Sequence, residues 1–193
     1  MPTKDIHQNA QGTYKLYTNI MKTENETLEK ELTWEELCKI ESGTVLKDWF
    51  EDNIRCLILR GPSSLCAYVG IPTKHPLAGF DYDDIPLECH GGLTFCGEGG
   101  GKDIYRPEGL YWYGWDYSHY KDYAFYYDTV DFEKEYNHSD EKKWLVEDVM
   151  EDMRSTLYDF KMLCNLAVML SNKSKRLRFF NNLFQKVKKL LWK

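Results

Sequence analysis

From Val146 to Ala167 apolar residues fall at Val146, Val149, Met150, Met153, Leu157, Phe160, Cys164 and Ala167. That three-and-four spacing is the period of one helix face. It predicts a long helix from about Ser139 to about Leu170, with Asn172 able to end it. A stripe of this length must be buried against another layer. The rest of the chain supplies a sheet. Ile54–Leu59 and Leu65–Ile71 are short apolar, β-branched runs, separated by Gly61-Pro62-Ser63-Ser64. Turn residues between two such runs predict an antiparallel hairpin. Leu87–Cys89, Leu93–Cys96, Leu110–Asp116 and Ala124–Val130 are further strand candidates. The expected fold is therefore α+β: a mixed, mainly antiparallel sheet of about four to six strands against one long helix.

Smaller elements flank this core. Thr33-Trp34-Glu35-Glu36 has capping-box spacing and predicts a helix through about Ile40. Asp48-Trp49-Phe50-Glu51 reads as a short helical turn, and Thr13–Tyr17 as a short strand. Gly97–Gly101 reads as a flexible loop. The 193 residues carry no internal repeat and suit one domain, with residues 1–22 loosely patterned.

Charge is divided along the chain. From Lys173 onward there are eight Lys and Arg and no acids, which leaves 17 basic against 31 acidic residues before it, a net of −14. An acidic body argues against general nucleic-acid binding, which needs a basic face on the domain. Leu177, Phe180, Phe184, Val187 and Leu191 form an apolar face in the basic segment and predict a helix over about 175–192. It could pack on its own acidic body, lie on an anionic membrane, or dock to a partner; the simplest reading is the first. The first residues lack the apolar core of a secretory signal, and no run reaches the roughly 18 apolar residues of a membrane span. Cytoplasmic residence is the expectation.

Six cysteines lie mostly in apolar runs without a C-x-x-C pair, which reads as free, buried thiols. Cys89-His90 with Cys96 matches no structural zinc pattern. The sequence names no cofactor or metal.

Between Tyr68 and Asp122, glycine turns, histidines and aspartates interleave with aromatic runs, and polar groups on turns between strands are where function concentrates. As a strand, Leu110–Asp116 puts Trp112, Gly114 and Asp116 on one face, and Tyr111, Tyr113, Trp115 and the following Tyr117 on the other. Gly114 would leave a gap beside Trp112 for a ligand or another backbone. Asp116 could orient His119 in the next turn for acid/base work, or simply stabilise that turn. His90 could be a second acid/base group or a metal ligand, or be satisfied by a backbone carbonyl. Gly91 and Gly92 allow positive φ and could offer N–H groups to an oxyanion, or make a tight turn. Asp83 and Asp84 lack calcium-loop spacing, so capping a turn is the plainer reading. His75-Pro76 should be extended. No G-x-S-x-G, H-E-x-x-H or cysteine-nucleophile signature is present.

Together, Y-V-G-I-P-T-K-H-P-L-A-G-F-D-Y-D-D-I, H-G-G-L-T-F and Y-W-Y-G-W-D-Y-S-H-Y-K-D-Y resemble a family of small uncharacterised proteins of bacteriophages, prophages and other mobile elements. The resemblance covers about residues 65–125 and the helix that follows. It picks out Asp83, Asp84, His90, Gly91, Gly92, Gly114, Asp116, His119 and Asp122. It implies an accessory protein working in the bacterial cytoplasm, where such proteins blunt host defence by binding a defence protein or by sequestering or degrading a nucleotide signal. Tyr and Trp in bulk supply stiff contact area and favour binding of a host target. The alternative is a small hydrolase or nucleotide-handling enzyme built on His90, Asp116 and His119, with Asp83, Asp84, Gly91, Gly92, Trp112, Gly114 and Asp122 at its ligand.

Overall fold

Trp34 opens the helix α1 (Trp34–Lys39), as the capping box predicts. Glu36 N–H donates to Thr33 Oγ1 at 3.3 Å and Thr33 N–H to Glu36 Oε2 at 2.9 Å, so two helix-end donors are satisfied reciprocally. The computed structural model describes residues 31–100, 105–128 and 138–171. The expected strand at Thr13–Tyr17 and the basic helix over 175–192 lie outside them. The elements below all belong to the unit Leu32–Lys193.

Five strands follow: β1 (Val45–Glu51), β2 (Ile54–Arg60), β3 (Leu65–Pro72), β4 (Phe95–Glu98) and β5 (Leu110–Asp116). Their spatial order is β1-β2-β3-β5-β4, and every neighbouring pair is antiparallel rather than mixed. The long helix, α2 (Val146–Ser171), covers one face. This is the expected α+β architecture. No helix among the described residues is long and apolar enough to cross a membrane.

The β2–β3 hairpin forms as its apolar runs dictate, closed by Gly61 N–H donating to Ser64 O at 2.8 Å. Other segments depart from the sequence reading. Asp48–Glu51 is strand, not a helical turn. A two-residue connection, with Asp52 left-handed at φ 56°, folds β1 onto β2, and cross-strand pairing outweighs a weak local preference. Leu87–Cys89 forms no strand, because the Glu88 carbonyl accepts from Thr156 Oγ1 of α2 at 3.2 Å. Ala124–Val130 is not a strand in its described part; a 3₁₀ turn occupies Phe125–Asp128, held by Phe125 N–H to Ser63 O at 2.8 Å. Gly97 and Glu98 belong to β4, and Gly99 N–H donates to Leu110 O at 3.0 Å, so this part of the expected flexible loop is fixed. The helix starts at Val146, not Ser139, where Asp148 Oδ2 accepts from Leu145 N–H at 2.9 Å and satisfies an orphan donor.

The aromatic run of β5 is core rather than surface. Trp112, Tyr113, Trp115 and Tyr117 are all fully enclosed. The predicted alternation holds: Tyr113, Trp115 and Tyr117 join the cluster under α2, with Tyr113 edge-on to Phe160 at 5.9 Å. On the other face, Trp112 lies over Gly70 and Tyr68 lies over Gly114, each pair directly cross-strand. The gap at Gly114 is thus filled by Tyr68. Each ring covers bare backbone on its neighbour, a pairing that fixes register.

A Cβ on Gly114 would sit 2.4 Å from the Tyr68 ring. Gly114→Ala should therefore cost about 1–3 kcal/mol, measured as a lower urea midpoint at unchanged slope; an unaltered midpoint would remove this packing argument.

Candidate functional site: a carboxylate shared by three donors

At the end of β5 the chain turns sharply. Asp116 Oδ1 accepts from Ser118 N–H at 3.1 Å and its Oδ2 from Thr94 Oγ1 at 3.2 Å. Asp122 N–H closes the turn on His119 O at 3.0 Å, with Lys121 left-handed at φ 71°. Asp122 then pairs with Lys142 in a parallel bridge. Lys142 N–H donates to Lys121 O at 2.8 Å and Tyr123 N–H to Lys142 O at 2.9 Å. This docking sets Trp144 beside Asp122.

His90 arrives from the turn before β4. Gly91 and Gly92 have φ of 67° and 88°, the region that glycine alone adopts freely. Gly91 is doubly constrained, because a Cβ there would fall inside the His119 ring. Gly92 N–H is spent on Cys89 O at 3.0 Å. The pair makes a tight turn and admits His119; the Gly92 donor is not presented to an oxyanion.

The convergence point is Asp122, whose side chain is 4% exposed. Its Oδ2 accepts from His90 Nε2–H at 2.7 Å and from His119 backbone N–H at 2.8 Å. Its Oδ1 accepts from Trp144 Nε1–H at 2.7 Å. Burial alone would raise the carboxyl pKa; the donors from His90, His119 and Trp144 outweigh it and hold the pKa below the usual value. The His90 ring stacks on Tyr117 at 4.8 Å and meets Trp144 edge-on at 4.7 Å. Tyr117 is fixed in turn: its OH donates to Asp152 Oδ2 of α2 at 2.9 Å and accepts from Trp115 Nε1–H at 3.2 Å.

The residues singled out from sequence are thus partly assembled. His90, Gly91, His119 and Asp122 come together, with ring centres of the two histidines 5.5 Å apart. Asp116 lies 3.7 Å from His119 Nε2, beyond hydrogen-bond reach, and Nε2 is enclosed with no hydrogen-bond partner among the described residues. The carboxylate that orients a histidine is Asp122, and that histidine is His90. Trp112 and Gly114 are on the opposite face of β5 from Tyr117. Asp83 and Asp84 sit in a 3₁₀ turn capped by Asp81, whose Oδ1 accepts from Asp83 N–H at 3.1 Å. His75 lies in successive turns, its Nδ1 accepting from Leu77 N–H at 3.2 Å. Cys56, Cys66, Cys89, Cys96 and Cys164 are free thiols, and burial raises the Cys89 thiol to about 12. Among the described residues, no group of three or more His, Cys, Asp or Glu is placed to hold a metal ion.

Trp144 and Asp152 were not legible as site residues. A polar Asp152 beside the buried stripe positions Val149 and Met153 was the available signal. Comparison with family models, with curated proteins and with solved structures returns no match.

A carboxylate fixing an imidazole can hold or move a proton at the other ring nitrogen. Here the same contacts also tie together three segments: the His90 turn, the 117–122 turn and the stretch leading into α2. Asp122→Ala leaves three donors unpaired and should cost about 3 kcal/mol, as breaking buried charge pairs does. Asp116→Ala, at a carboxylate one-third exposed, should cost under about 1 kcal/mol. Urea unfolding of the two variants checks the contrast. The pH effect has a definite sign. A depressed carboxylate stabilises the fold above its unfolded pKa of about 4 and loses that contribution as pH falls through the lower folded value. Asp122→Asn should flatten the acid limb below about pH 4; an unchanged limb would contradict the assignment.

Proposed function

We propose that this is a phage or mobile-element accessory protein that acts by binding a host protein, through the outer face of α2. The observation that carries the reading is a second apolar stripe on that helix. Its first stripe is buried under the sheet. The second faces outward: Tyr158 is 66% exposed, Met162 56%, Leu166 37% and Met169 69%. Spacings of four, four and three place them in one row. Met162, Leu166 and Met169 of this row, with Leu163, line a groove of about 440 Å³ between α2 and the Pro86–Glu88 segment. Contiguous exposed apolar surface marks an interaction site, and methionines adapt to a partner's shape. Asp159 and Glu88 line the same groove. The matching partner is an amphipathic helix with apolar anchors three and four residues apart and basic flanks.

The enclosed aromatics of β5 cannot serve as the contact surface, so the binding reading moves from that run to α2. His119 Nε2 is closed off and His90 Nε2 is spent on Asp122, so the hydrolase reading would have to run through the Nδ1 atoms of the two rings.

The chain's own residues 173–193 share the apolar and basic pattern, so the test must name the occupant. A host protein captured by the full chain should be purified and the complex rebuilt from the two components. Met162→Glu with Leu166→Glu should weaken it by at least about tenfold, while Arg154→Gln, at an exposed ion pair, should leave it intact. A complex that survives the double change, or no host partner at all, would defeat the proposal.

A further inference from the structure

Two arginines of β2 meet different fates. Arg55 presents its Nε and Nη2 edge to Asp48, with donor distances of 2.9 and 2.6 Å, the two-pronged geometry that guanidinium makes with an oxyanion. Arg60 is only 9% exposed, yet has no carboxylate partner among the described residues. Its Nη1 donates to Gly61 O at 2.5 Å and Pro62 O at 3.0 Å. Its Cζ lies 4.1 Å from the Phe125 ring centre, and Trp34 stacks on the same ring at 4.8 Å. The group is therefore held rigidly. Among the described residues its Nε is enclosed without an acceptor, and its Nη2 makes no hydrogen bond. Burial pushes this guanidinium's pKa down. An enclosed cation without an anion is costly unless something supplies the missing charge.

Beside it lies a cavity of about 160 Å³, bounded by Ser42, Gly43, Gly61, Tyr68, Tyr105 and Arg106 together with Arg60. Among the described residues no Asp or Glu lines it. In a chain of net charge −6, a cavity lined by two arginines and, among the described residues, by no acid stands out. Arg106 is pre-positioned, its guanidinium 4.7 Å from the Tyr68 ring centre and 3.8 Å from that of Phe95. The volume suits a single phosphoryl-sized group and falls short of the roughly 300 Å³ from which pockets for larger ligands begin.

We propose that this cavity is an oxyanion site. It takes a phosphate, free or as the terminal group of a small monoester, on Nη2 of Arg60, the guanidinium nitrogen that is neither closed off nor hydrogen-bonded among the described residues, with Arg106 as the second positive charge. The site lies on β2 and the β2–β3 turn, away from the groove on α2, and stands independently of host-protein binding there.

Thermal unfolding and calorimetry of the full chain with inorganic phosphate, in chloride of matched ionic strength, test it. Phosphate should raise Tm saturably, and Arg106→Gln should weaken binding by about tenfold or more, as losing one charge-assisted contact does. Arg60→Gln should abolish it; if that variant fails to fold, Arg106→Gln carries the test. Lys161→Gln removes an equal charge elsewhere and should leave binding unchanged. A nucleoside monophosphate binding more tightly than phosphate would identify the monoester as the source, and equal binding the free anion. No saturable response beyond chloride, or one retained in Arg106→Gln, would overturn the proposal.

Discussion

The Asp122 carboxylate, accepting from His90, Trp144 and the His119 backbone, is the contact on which the arrangement of the surrounding chain depends. The sheet and α2 would attract each other through apolar burial alone, but burial is not directional. The turn carrying His90, the turn leaving β5 and the stretch entering α2 are polar and irregular. Three charge-assisted bonds to one enclosed group give them a single mutual position. Tyr117 extends the effect, since His90 stacks on it and its hydroxyl is bonded to Asp152 of α2.

Where the sequence carried a period, the fold was legible. β2, β3 and β5 came from apolar or alternating runs bounded by turn residues, and α2 from its stripe. Segments whose state depends on distant partners were not. β1 has no burial alternation, and its strand state rests on pairing with β2. Leu87–Cys89 has strand composition, but the Glu88 carbonyl is bonded to Thr156, far along the chain on α2. The start of α2 was set by the docking of residues 142–145 on the turn at Lys121, a contact that no local pattern encodes.

The site divides in the same way. That His90, His119 and the paired glycines stand apart from the core pattern could be read from residue types and spacing. The choice of carboxylate could not, because Asp116 and Asp122 stand at equal sequence distances on either side of His119. The asymmetry is structural. Asp116 is used up by Ser118 and Thr94 at the strand end, while left-handed Lys121 swings Asp122 inward toward His90 and Trp144. Likewise the density of Trp and Tyr in β5 suggested a recognition surface, yet alternation across a covered sheet buries both faces of that strand. Exposure had to be found on α2, whose outward Tyr and Met residues are unremarkable in sequence because helices tolerate them anywhere.

The central claim is that Asp122 is ionised and saturated with donors in the folded protein. The ¹³Cγ chemical shift of Asp122 followed by NMR across acidic pH reports that state directly. The account predicts a midpoint clearly below the ordinary aspartate value of about 4, with the His119 amide and Trp144 indole protons moving in the same step. A midpoint at or above that value, with those two protons unaffected, would contradict it.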